Sequence, residues 1–92
     1  MKTIALDGLY MTTKETTHAY LRWRLSAPDY YGCNLDALHD ILTDPCEPTR
    51  LVLYRKELML RSLGDYGNAL LAVFRDSASE NDNLSFVEAD AN

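Results

Sequence analysis

Short apolar runs and helically spaced apolar residues alternate along the 92-residue chain, and that alternation predicts its elements. Thr3-Ile4-Ala5-Leu6 is a short run closed by Asp7-Gly8, which reads as a buried strand and a turn. In Thr12-Thr13-Lys14-Glu15 a Thr precedes a Glu by three residues, a capping-box start. The helix it opens should run from about Thr13 to Leu25, with Tyr20, Leu21 and Leu25 turned inward, and Ala27-Pro28 stops it. Asp29 to Cys33 is a loop, and Asn34 is a good N-cap for a second helix to about Thr43. Asp44-Pro45-Cys46-Glu47-Pro48 is a loop, and Arg50 to Tyr54 is nearly continuous in apolar character, as a strand covered on both faces would be. Lys56 to Leu63 is a short helix closed at Gly64. Asp65 is placed to cap a fourth helix, in which Tyr66, Ala69, Leu70, Val73, Phe74 and Ala78 recur at helical spacing. Leu84 to Val87 is the last strand. Apolar strands separated by helices predict an α/β fold with a parallel sheet.

The length allows one small domain with a modest core, spanning residues 1–92 with a frayed tail after about residue 88. Hydrophobic residues make up 47% and charged residues 25%, an ordinary globular balance. The apolar runs fall far short of the ~20 residues of a membrane span, and the first residues lack the apolar stretch of a secretory signal. A cytoplasmic chain without membrane association is expected, with Cys33 and Cys46 as reduced thiols. Two cysteines outside any CxxC spacing, with His18 and His39 at no ligand-pair spacing to them, make a poor metal signal. Neither a metal nor another cofactor is expected.

Charge changes the picture more than composition does. The net charge is −5, which argues against nucleic-acid binding. From Leu25 to Thr49 there are five acids and no Lys or Arg, and residues 76–92 hold five more acids, again without a cation. All nine cations lie elsewhere. On a helical wheel at ~100° per residue, Leu35, Leu38, Ile41 and Leu42 fall on one side of the second helix. Cys33, Asp36, Asp40 and Asp44 gather on nearly the opposite side, with His39 on the flank. Asp36 is favoured by the helix dipole in the first turn. Asp40 is not: it sits mid-helix, one turn after a like charge, at a cost of a few tenths of a kcal/mol. A solvated face would tolerate this arrangement, and a docking surface for a basic partner would require it.

Leu25-Ser26-Ala27-Pro28-Asp29-Tyr30-Tyr31-Gly32-Cys33-Asn34-Leu35-Asp36-Ala37-Leu38-His39-Asp40-Ile41-Leu42-Thr43 resembles the signature segment of the barstar family of ribonuclease inhibitors. Leu51-Val52-Leu53 resembles the family's second strand and Val73-Phe74-Arg75-Asp76 its fourth helix. The resemblance implies a three-stranded parallel sheet packed with four helices, and a stoichiometric inhibitor that plugs a ribonuclease active site with its second helix and adjoining loop. It carries a partner-binding role onto Tyr30, Tyr31, Gly32, Asn34, Asp36 and Asp40, with Asp76 as a further acidic contact on the fourth helix. In the family, the aspartate at Asp40 occupies a phosphate position. His39 stands at the same face where the family has Trp, Cys33 where it has Glu, and Asp44-Pro45 where it has Gly-Trp. These departures imply a cognate enzyme other than barnase, one with altered side pockets, or a relative that has lost inhibition. The implied partner is a basic microbial-type ribonuclease bound 1:1 by a monomer.

Two other functions compete with inhibition. An immunity protein for a basic toxin domain that is not a ribonuclease needs the same acids and aromatics. A small hydrolase built on Cys33 with His39, or acid–base chemistry from Asp36 and Asp40, would need a desolvated cleft and an oxyanion loop. Nothing in the sequence supplies either, and no Gly-rich phosphate loop follows the first strand.

Overall fold

The structure, a computed structural model, describes residues 1–29, 31–44 and 47–89. Tyr30, a partner contact implied by the resemblance, and Pro45 and Cys46 in the second loop lie outside the described residues. Strands β1 (Lys2–Asp7), β2 (Thr49–Tyr54) and β3 (Leu84–Ala89) form one parallel sheet in the order β1-β2-β3. Helices α1 (Lys14–Leu25), α2 (Leu35–Thr43), α3 (Lys56–Leu63) and α4 (Asp65–Glu80) complete the α/β fold, and a 3-10 turn (Gly8–Tyr10) follows β1. β3 runs through Ala89, one residue past the point where fraying was expected, and residues 90–92 lie outside the described residues. No helix among the described residues is long and apolar enough to cross a membrane.

The strand pleat sorts the core. Ile4, Leu6, Leu51, Leu53 and Leu84 point to one face of the sheet, where Leu38 and Leu42 of α2 and Leu70, Leu71 and Phe74 of α4 bury against them. Each such side chain contributes about 1.5–3 kcal/mol. Phe74 stacks on Phe86 with ring centroids 5.1 Å apart, which joins α4 to β3. On the other face Arg50 and Tyr54 are exposed and Val52 is half-buried. β2 is therefore covered on one face, not both. Its apolar run includes Val52 and Tyr54, which no helix covers, and a run of that kind does not distinguish the two cases.

Several local details also differ from the sequence reading. The cap of α1 is Thr13: its hydroxyl accepts from the Thr16 N–H (3.1 Å), and the Thr16 hydroxyl accepts from the Thr13 N–H (2.9 Å). The box is thus Thr13–Thr16 rather than Thr12–Glu15. Asp65 is the first residue of α4 and makes no side-chain cap. Its charge instead suits the positive end of the helix. Gly64 alone separates α3 from α4, at φ 59° and ψ −127°, a conformation reserved for glycine. Glu88 ties β3 to α3 and α4 by accepting from Lys56 (2.8 Å) and from Nε and one terminal nitrogen of Arg75 (2.8–3.0 Å). The Lys56 hydrogen bond, reinforced by Arg75 and opposed by burial, holds the Glu88 carboxyl below its ordinary value.

The free edge of β1 is occupied by side chains of α1. Arg24 Nε donates to the Ala5 carbonyl (2.9 Å) and the Tyr20 hydroxyl accepts from the Asp7 N–H (3.0 Å), which removes pairing sites from an edge strand. Gly8 packs the 3-10 turn against the start of α3, where a Cβ would sit 2.2 Å from the Arg55 carbonyl oxygen. Gly8→Ala is expected to lower stability by about 1–3 kcal/mol through overpacking, read as a shift in urea midpoint with an unchanged slope.

Candidate functional site

Asn34 opens α2 and at the same time holds the loop before it. Its Oδ1 accepts from the Ala37 N–H (2.8 Å), and its Nδ2 donates to the Gly32 carbonyl (3.3 Å). The side chain is occupied in positioning the exposed Gly32 turn. Cys33 lies between them at φ 54°, outside the helix, with an exposed thiol. Asp44 is the C-cap residue in an extended conformation. The acidic stripe on the helix proper is therefore Asp36 and Asp40, flanked by Cys33 and Asp44. Both aspartates are exposed, while Leu38 and Leu42 anchor the opposite side.

The α2 face continues onto α4. The His39 imidazole Nε2 pairs with the Glu80 carboxylate, a link across the α2–α4 packing. Asp76 stands one helical turn before Glu80 and is exposed. Among the described residues no cation pairs with Asp36, Asp40 or Asp76, although Asp7, Asp29, Glu80 and Glu88 all have partners. Sequence reading missed Glu80, whose i, i+4 spacing from Asp76 was the available signal. His39 is a half-buried tether between helices, and no hydrogen bond joins it to Cys33.

Tyr31 is placed otherwise than a contact residue would be. It is 7% exposed and belongs to the core. Its hydroxyl bonds His18 Nδ1 (2.6 Å), and His18 Nε2 bonds the Tyr66 hydroxyl (2.6 Å). A neutral imidazole satisfies both hydroxyls, donating through one nitrogen and accepting through the other. Burial holds His18 below its ordinary value and raises Tyr66. Burial, with Cys33 and Tyr66 adding, pushes the Tyr31 hydroxyl above the usual phenol range. This chain joins α1, the loop and α4, so Tyr31 supports the loop from beneath. A notch of about 120 Å³ opens beside it, lined by Tyr31, Ala37, Asp40, Ile41 and Asp44.

The C-terminus of α2 lacks a glycine cap. The Asn81 Nδ2 instead donates to the carbonyls of Leu42 (3.0 Å) and Asp44 (3.4 Å). Asn81→Ala should orphan the buried Leu42 carbonyl and cost about 1–3 kcal/mol, measured by chemical denaturation.

The fold and the site together define a small α/β protein that exposes an acidic helix. Residues 1–88 match the family model described as Barstar (barnase inhibitor), and the chain belongs to the barstar family. It is 40% identical over 81 residues to the Bacillus subtilis (strain 168) protein named "Putative ribonuclease inhibitor YrdF", covering 87% of this chain and 89% of that protein. Members of this family are inhibitors of ribonucleases rather than enzymes.

Proposed function

We propose that the protein is a stoichiometric inhibitor of a barnase-like microbial ribonuclease, acting 1:1 in the cytoplasm by inserting α2 and its adjoining loop into the enzyme's basic active site. The observation that carries this reading is the set of exposed carboxylates of Asp36 and Asp40 on α2 and Asp76 on α4, which have no cationic partner among the described residues. A ribonuclease site is lined with cations that hold RNA phosphates, and carboxylates fixed on a helix reproduce that charge without a scissile bond. Rigidity matters as much as charge. Asn34 at one end of α2 and Asn81 at the other fix its axis, and Leu38 and Leu42 fix its rotation. The ordering cost of binding is therefore met largely on folding. Asp40 takes the phosphate position and Asp36 and Asp76 contact flanking cations. Gly32 allows close approach of the loop backbone, and Tyr30 and Asn34 are further contacts on the enzyme.

RNA cleavage by a barnase-like enzyme, titrated with the protein at enzyme concentrations above the dissociation constant, tests this directly. Activity should fall linearly to an end point at one equivalent. Full activity at several equivalents, across a panel of such enzymes, would remove the proposal.

A further inference from the structure

The acidic site makes no use of the opposite side of the molecule. There Trp23 is 71% exposed, Tyr10 56% and Val87 41%. Tyr10, Tyr20 and Trp23 stand in a row with successive ring centroids 5.3 and 6.3 Å apart, and with Ala5 and Tyr54 they border a depression of about 530 Å³. Ala5, Val52 and Val87 are in register across the sheet, so the apolar surface continues from α1 to β3. Single exposed apolar residues need no explanation, whereas a contiguous aromatic patch marks an interaction surface. Tryptophan, tyrosine and arginine are also the residue types that most often anchor interfaces.

The rim of this patch is cationic. The Arg24 guanidinium lies 5.5 Å from the Trp23 ring centre, and Arg50 projects from the uncovered face of β2. Arg55 sits 3.8 Å from Asp7, the one carboxylate among the described residues that border the depression. Asp36, Asp40 and Asp76 lie on helices packed against the other face of the sheet. The molecule thus carries an aromatic–arginine surface and a complementary carboxylate surface on opposite sides.

We propose that the aromatic–arginine face docks the acidic face of a second copy of the chain, in a head-to-tail contact. Charge complementarity selects this occupant: the carboxylates that have no cation among the described residues of one molecule meet the arginines of the next. Such a contact uses two different patches and leaves one of each free, so it adds further copies, into a ring where the rotation between copies closes and a filament where it does not. The net charge of −5 opposes approach at long range, but that repulsion is screened beyond about 8–10 Å at physiological salt, while pairs shielded by Trp23 and Tyr10 are screened less. Self-association would cover the face through which the ribonuclease is proposed to bind, so the two events exclude each other.

Sedimentation velocity on the protein alone tests this, and its outcome does not depend on whether a ribonuclease is the partner. At about 0.1 M salt the mass average should rise with concentration from micromolar to near-millimolar, and the rise should shrink as salt increases. Trp23→Ser, which removes the exposed anchor, and Asp40→Arg, which reverses charge on the acidic face, should each be monomeric. Mixed together, they should form a dimer that grows no further, because each retains the face the other has lost. A wild-type protein that stays monomeric throughout, an Asp40→Arg variant that associates like wild type, or a mixture that gives no dimer would each overturn the proposal.

Discussion

Replacing Asp40 with alanine is expected to weaken binding to the cognate ribonuclease by about 3–5 kcal/mol, roughly a hundred- to several-thousand-fold. The size follows from where the charge goes. In free solution Asp40 is exposed and hydrated and has no cationic partner among the described residues. In the complex it is desolvated against the enzyme's cations, and removing it leaves those cations buried without compensation. The expected loss is that of a buried ion pair broken by removal of one partner. The folded monomer should respond in the opposite direction. Asp is a poor helix former, and Asp40 stands one turn from Asp36, so Asp40→Ala should raise stability by several tenths of a kcal/mol. Calorimetric titration and urea denaturation of the same variant check the pair of results. Loss of affinity together with loss of stability would mean that Asp40 acts by holding α2 in place.

The second large effect belongs to His18. His18→Leu removes both hydrogen bonds that link Tyr31 and Tyr66 and leaves the Tyr31 hydroxyl in the core without them. The expected loss is about 2–4 kcal/mol at pH 8, combining one orphaned buried hydroxyl with one ordinary buried hydrogen bond. The wild-type protein should also lose stability in mild acid. Burial places the folded-state value of His18 below 6.5, so the unfolded chain takes up the proton first. Stability is complete above pH 6.5 and declines, by at most about 1.4 kcal/mol per pH unit, as pH falls toward the lowered folded value. Glu88 acts in a separate window: its carboxyl is held below 4.5, so its contribution is present above that pH and is lost as pH falls through the lowered value. His18→Leu should flatten the first window and preserve the second. An unchanged slope between pH 5 and 6.5 in denaturation curves would show that another group carries the first transition.

The parts of this molecule that were readable from sequence are those governed by short-range periodicity. Asn34 before Leu35, Leu38, Ile41 and Leu42 located α2, its cap and its inner side, and the positions of Asp36 and Asp40 on the outer side followed from the same wheel. Strand order along the chain and the Gly64 break were equally local. What escaped depends on contacts distant in sequence. Adjacent Tyr30 and Tyr31 look alike as a pair, and only the meeting of His18, 13 residues before Tyr31, with Tyr66, 48 residues beyond His18, draws Tyr31 into the core. A lone histidine in α1 gives no sign of two tyrosine partners. Asn81 follows the end of α4 and caps α2 instead, an assignment that requires the packing of the two helices. One-sided cover of β2 was hidden because Val52 and Tyr54 are apolar without being enclosed. The pairing of His39 with Glu80 likewise depends on the α2–α4 seam.

If the carboxylates of α2 recognise a ribonuclease active site, their binding must depend on both charge and Asp40. Titration calorimetry of the wild-type protein against barnase-like ribonucleases, at low and physiological salt and alongside Asp40→Ala, tests this most directly. Tight 1:1 binding to at least one enzyme is expected, weakening with salt and collapsing in the variant. Binding that ignores both salt and Asp40, or no binding to any enzyme of the class, would contradict it.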